Sequence, residues 1–239
     1  MDKRKIMVYG GIPLGVSLVM VVMYFSGISV LQQIILPQLG GVYGSSEREL
    51  GVLENLQNVV LLVMLGMCLR GMKIQPGMLW KVVLAGLSCF TLLVFLEEVD
   101  YGLHWYELAR GIGVEDAAEV RNLHNVGGRT NAIKQVVDLG MLVFFVILPF
   151  ALAKSGNRFV RHFLADRYSV LTLVIALVVS KLAHQLNDMG LSLNGIDNTN
   201  TSEFRELVTY YLCMLYYWEV ILKRRWGGEC ERGSESVLE

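Results

Sequence analysis

Six apolar blocks, at residues 7–31, 56–73, 79–104, 133–153, 168–188 and 205–222, alternate with more polar connections. Each is close to the ~20 residues a helix needs to cross a ~30 Å hydrocarbon core. The pattern predicts an all-α polytopic membrane protein, with a bundle of six transmembrane helices over residues 1–226 and a polar tail at 227–239. No stretch is left for a separate soluble domain of ordinary size. Gly11 and Gly15, spaced for close helix contact, make the first span a candidate homo-oligomer surface. Ser46 and Glu49 have the spacing of a capping box before the second span. Pro76-Gly77 reads as a tight turn between the second and third spans. Residues 114–124, between the third and fourth, have the composition of a short amphipathic helix lying at the interface.

Composition agrees with this reading. Of the 239 residues, 54% are hydrophobic and 18% charged, and the mean hydropathy is +0.47. The net charge of −1 hides an asymmetry that orients the chain. With six alternating spans and a cytoplasmic N-terminus, one side holds Lys3, Arg4, Lys5, Arg70, Lys73, Lys81, Lys154, Arg158, Arg161, Arg167, Lys223, Arg224, Arg225 and Arg232. The other holds Arg48, Arg110, Arg121, Arg129, Lys134 and Arg205. Basic residues accumulate on the cytoplasmic side of membrane proteins, so both termini are expected there. Cys68, Cys89, Cys213 and Cys230 fall in spans or on that same side, which argues against a disulfide framework. No basic and aromatic surface suggests nucleic acid; the partners expected are membrane lipids, other membrane subunits or a second copy of the chain.

Charge inside the apolar blocks is the feature that needs a reason, because ionisable groups in a membrane are costly unless paired, hydrated or metal-bound. Glu97, Glu98, Asp100, Tyr101 and His104 end the third span. At ~1.5 Å per residue, Glu97 lies roughly 27 Å from the inner end of its span, Asp138 about 24 Å, Lys181 about 20 Å, His184 about 24 Å, Asp188 about 30 Å and Glu206 about 25 Å. Four helices therefore carry ionisable groups at one level, beneath the outer interface. Glu97, Tyr101 and His104 share a helix face, as do Lys181, His184 and Asp188. These residues are expected to converge in one outer-half pocket. Its acids outnumber its bases, so it calls for a cation or a shared proton. His104, His124, His184 and Asp188 are the candidate ligands for a divalent metal such as zinc. Glu97, Glu98 and Asp100 are the candidate proton-handling groups, with Asn122, Asn125, Asp138, Lys181, Glu206 and Tyr101 in support.

Glu97-Glu98-Val99-Asp100-Tyr101-Gly102, followed by Asn122-Leu123-His124-Asn125, resembles an uncharacterised family of bacterial multi-span inner-membrane proteins. That family carries a Glu-Glu-aliphatic-Ser-Trp-Gly-Gln motif and a downstream Asn-Leu-His-Asn. This chain has Asp100, Tyr101 and Leu103 where the family has Ser, Trp and Gln. The resemblance implies a site in the inner membrane and no particular reaction. A second similarity is to alkaline-ceramidase-like membrane hydrolases, through the Asp100-to-His104 spacing; Asp188 stands where their second late histidine belongs. It implies His104, His184 and Asp188 as metal ligands and Glu97 or Asp100 as proton carriers. Three functions follow as expectations: a non-catalytic membrane component (subunit, sensor or assembly factor) whose pocket binds a cation or partner, a metal-dependent hydrolase or transferase acting on a lipid or lipid-linked substrate at the outer leaflet, and an ion- or proton-coupled transporter.

The charge asymmetry makes a direct prediction. In intact cells, a cysteine placed at Gly113 should react with an impermeant thiol reagent and one placed at Gly156 should be shielded. The reverse labelling would invert the topology.

Overall fold

The computed structural model describes residues 2–36, 51–75, 77–102, 130–192 and 201–223, and every regular element among them is a helix. In chain order these are α1 (Lys3–Tyr24), α2 (Ser29–Ile35), α3 (Val52–Ile74), α4 (Met78–Glu98), α5 (residues 130–151), α6 (Arg158–Phe163), α7 (Ser169–Asp188) and α8 (residues 202–223). Four of them, α1, α3, α4 and α7, are long and apolar enough to cross a membrane. The apolar part of α5 is shorter, Gln135–Ala151.

The first block is expected to stay helical through residue 31, but α1 stops at Tyr24. Ser26 Oγ donates to the Met23 carbonyl and accepts from the Ile28 amide, and Gly27 turns through φ 73°. That φ suits glycine and reverses the chain. Between α3 and α4, Gly77 at φ 91° makes the expected turn. The third block likewise has an early helix end: α4 closes at Glu98 and a single tight turn, Asp100–Gly102, follows; residues 103 and 104 lie outside the described residues. The capping-box residues 46 and 49 and the 114–124 segment lie outside the described residues.

α8 is the centre of the bundle. It contributes Phe204 and Leu207 to a buried cluster with Tyr24, Ile35, Leu53, Val179 and Ala183. Its far half puts Tyr217, Val220 and Ile221 against Leu61, Met64, Cys68, Trp80 and Leu84. Leu212 and Leu215 pack on Tyr9, Phe145 and Tyr168. By contrast Val19, Val22, Leu62, Phe90, Leu93 and Leu177 on the surrounding helices are exposed, as lipid-facing side chains should be.

Two prolines shape the helices around α8. Proline has no N–H and crowds the carbonyl four residues earlier. Pro13 therefore deprives the Tyr9 carbonyl of its helical donor, and Pro149 does the same to Phe145. Both sites answer with a widened turn, Met7–Gly11 and Val143–Ile147. In the first, the Ile12 amide reaches back to Met7 and so releases Val8 as well. The two freed carbonyls find donors on neighbouring helices: Thr172 Oγ1 at 2.6 Å from Tyr9 O, and the Tyr211 hydroxyl at 2.8 Å from Val8 O. Backbone groups with no water available must be satisfied within the protein, and here tertiary contacts do it. A Cβ at Gly15 would meet nothing among the described residues, while one at Gly11 would meet the Met7 side chain of its own helix.

Thr172 is fully buried, and its hydroxyl works for Tyr9 only because Pro13 is present. Thr172→Val should therefore cost about 1–3 kcal/mol, the usual penalty for a buried acceptor left without a donor. In a Pro13→Ala background the same substitution should cost measurably less, because alanine at that position restores the missing N–H. A double-mutant cycle on melting in detergent reads the coupling.

Candidate functional site: a carboxylate cluster at one end of the bundle

The N-terminal turns of α3 and α8 and the C-terminal turn of α4 meet at one end of the bundle. α3 delivers Glu54, α4 Glu98, and α8 both Glu203 and Glu206. Carboxylate oxygens of Glu98, Glu203 and Glu206 all lie within 4.8 Å of one another. Glu203 is buried and the other two are half-buried. Glu54, also buried, is close enough to act on Glu203 electrostatically.

The local sequence explains part of this arrangement. Glu54 and Glu203 sit in the first turns of their helices, where the exposed amide ends favour negative charge. Glu98 is in the last turn of α4, where that dipole opposes it. Specific donors assist: the Tyr210 hydroxyl donates to Glu98 at 2.6 Å, and the Gln57 amide nitrogen donates to the Glu203 backbone carbonyl at 3.0 Å and to its carboxylate at 3.1 Å. Gln57 is fully buried, and its amide oxygen has no hydrogen-bond donor among the described residues.

The sequence-predicted residues divide into several groups. Glu98 and Glu206 come together in the cluster. Glu97 points elsewhere and accepts from the Tyr101 hydroxyl, whose proton it holds above the ordinary tyrosine pKa. Tyr101 itself adopts φ 55°, a left-handed conformation uncommon for a non-glycine residue. Asp138 pairs with Arg205 at 3.0 Å on an exposed surface. His184 is exposed, and its Nδ1 lies 2.8 Å from the Thr201 hydroxyl. It is not part of the three-glutamate group. Asp188 ends α7 exposed.

Lys181 is also exposed, and lies three, four and seven residues after the exposed Val178, Leu177 and Val174. It shares their outward face and does not join the cluster, contrary to the expectation of a pocket-facing lysine. A long lysine stem can lie along such an apolar face and carry its charge toward the interface. His104, His124, Asn122 and Asn125 lie outside the described residues, as does the side chain of Asp100.

Glu54, Gln57 and Glu203 are missing from the sequence-based site. Glu203 was within reach of the sequence, since it precedes Glu206 by three residues and so shares its face. Glu54 and Gln57 bear the same relation on α3, but an apolar run takes its limits from its first apolar residues, and that excludes Glu54. No family model, curated protein or solved structure matches the chain.

The contacts rank the polar residues at this end. Gln57→Leu should lower stability by about 1–3 kcal/mol, because a buried carboxylate and a buried carbonyl lose a common donor. Thr201→Val should cost less, since the partner it abandons, His184, is exposed to other donors and acceptors. Melting temperatures in one detergent decide the order.

Proposed function

We propose that the chain is a multi-pass inner-membrane protein with six crossing helices and both termini in the cytoplasm, whose outer carboxylate cluster binds a divalent cation. On this reading it is a non-catalytic membrane component, a subunit, sensor or assembly factor that the bound ion stabilises in one arrangement. The observation that carries the reading is the convergence of Glu98, Glu203 and Glu206 within 4.8 Å. Oxygens bound to one hard cation at ~2.4 Å can be separated by at most about 4.8 Å, so three carboxylates at this spacing can close on a single ion with small rotamer changes. Gln57, whose nitrogen donates to Glu203, also carries a carbonyl oxygen with no donor among the described residues, a neutral ligand of the type such ions accept. Orientation rests on the distribution of Lys and Arg between the two ends.

The described donors are all oxygens, which suits magnesium, calcium or manganese better than zinc. A zinc centre, and with it the hydrolase reading, would need nitrogen from His104 or His124.

The test is a titration. Wild-type protein stripped with a chelator should gain melting temperature saturably with one of Mg2+, Ca2+ or Mn2+, by an amount equivalent to about 2.7 kcal/mol at a hundred times Kd. Glu203→Gln should abolish the gain while leaving the ion-free protein at least as stable, since one of several repelling charges is gone. His184→Ala should retain the gain. A flat wild-type response to all three ions sinks the proposal, and loss of the response in His184→Ala transfers it to a nitrogen-containing site.

A further inference from the structure

The opposite end of the bundle holds a cavity of about 560 Å3 between α1, the last turns of α3 and the last turns of α8. That size lies within the range of small-ligand sites. Arg4 and Lys5 enter it from α1 and Arg70 from α3, while Ile74, Trp218 and Leu222 give it an apolar side. The charges on its wall are not equivalent. Lys5 is ion-paired with Asp166. The Asp2 carboxylate caps α1 by accepting from the Arg4 and Lys5 amides. Glu219 acts on Lys5. Arg4 and Arg70 are different: both guanidinium groups are exposed, and neither has an ion pair or side-chain hydrogen bond among the described residues.

Two unengaged guanidinium groups on separate helices thus face one cavity whose other charged residues, Asp2, Lys5 and Glu219, are engaged with one another or with neighbours, and whose far side is apolar. Guanidinium forks match phosphate oxygens bidentately. The apolar wall continues toward lipid, because Ile74 and Trp218 are themselves exposed, and tryptophan favours the headgroup level. A soluble phosphate would use the arginines and leave Ile74, Trp218 and Leu222 unexplained; a phospholipid uses both. We propose that this cavity binds the phosphate of an anionic phospholipid, with Arg4 and Arg70 holding the headgroup and one acyl chain lying along Ile74, Leu222 and Trp218. The site is distinct from the carboxylate cluster and does not depend on it.

The experiment uses the full chain in nanodiscs or mixed micelles, with phosphatidylglycerol and phosphatidylcholine offered in equal amounts and bound lipid counted by native mass spectrometry. Wild type should retain phosphatidylglycerol in preference. The Arg4→Gln/Arg70→Gln variant should bind it at least about tenfold more weakly, given roughly 1 kcal/mol per basic residue at a membrane surface. Lys81→Gln removes an exposed charge outside the cavity and should bind as wild type does. Both arginines lack described contacts, so the double variant should melt with wild type in neutral detergent; if it does not, Arg70→Lys, which keeps the charge and loses the fork, should still weaken retention. Equal retention of the two lipids by wild type overturns the proposal, as does undiminished binding by the arginine variants. Displacement of the lipid by millimolar inorganic phosphate would overturn it in favour of a site for free phosphate.

Discussion

The bundle depends on the burial of α8. Its side chains take part in all three apolar clusters, yet it is the most polar of the long helices and carries Glu203, Arg205, Glu206, Tyr210, Tyr211, Tyr216 and Tyr217. A helix facing lipid could not carry that set, because its polar tips would have no partners. One surrounded by other helices can, provided each tip is matched. Glu98 accepts from Tyr210, Val8 from Tyr211, Phe163 from Tyr216, and Thr91 meets the Tyr217 hydroxyl. These contacts run from α8 to different parts of the chain, so its polarity specifies which neighbour goes where. Apolar packing between lipid-bathed helices discriminates less, since lipid tails are as apolar as leucine.

Backbone polarity is handled by the same rule. A widened turn in α1 frees two carbonyls, and the end of α8 offers a third, that of Ile221, to the buried Gln75 amide at 2.7 Å. Two are met by side chains of other helices and the third by Gln75, just past the end of α3. The irregular turns are therefore points of attachment. Gly71 makes a related contribution where α3 crosses α8: a Cβ there would run into Ile221 and crowd Leu84, so its hydrogen lets the helices approach.

That the chain is a set of long apolar helices was legible in the sequence, because length and hydropathy are set by bilayer thickness; their limits were less so, since α1 ends at Tyr24 and not at residue 31, at the Ser26-Gly27 turn. Counting residues put Glu206 near the level of Glu97 and its neighbour Glu98, and Glu98 and Glu206 lie together, but Asp138, Lys181 and His184, counted to a similar level, do not join them. Facing was not legible. In a soluble helix the polar side marks the outside, but in a membrane helix the lipid side and the core side are both apolar, and periodicity cannot say which is which. Lys181, His184 and Asp188 share a stripe, but that stripe lies outward. Glu97 and Glu98 are adjacent in sequence and about 100° apart around the helix. One reaches the cluster and the other reaches Tyr101.

The two ends of the molecule are chemically opposite, and helix direction amplifies the difference. At one end the amide termini of α3 and α8 face Glu54 and Glu203, an arrangement that lowers the cost of gathering carboxylates. At the other end the carbonyl termini of the same two helices approach Arg4, Lys5 and Arg70, which favours cations. Because α3 and α8 run parallel through the middle of the bundle, their dipoles add where those of an antiparallel pair would cancel. A parallel central pair thus prepares one end for negative side chains that attract cations and the other for positive side chains that attract anions. The opposite charge of the two ends and the chemistry proposed at each thus agree with one packing choice.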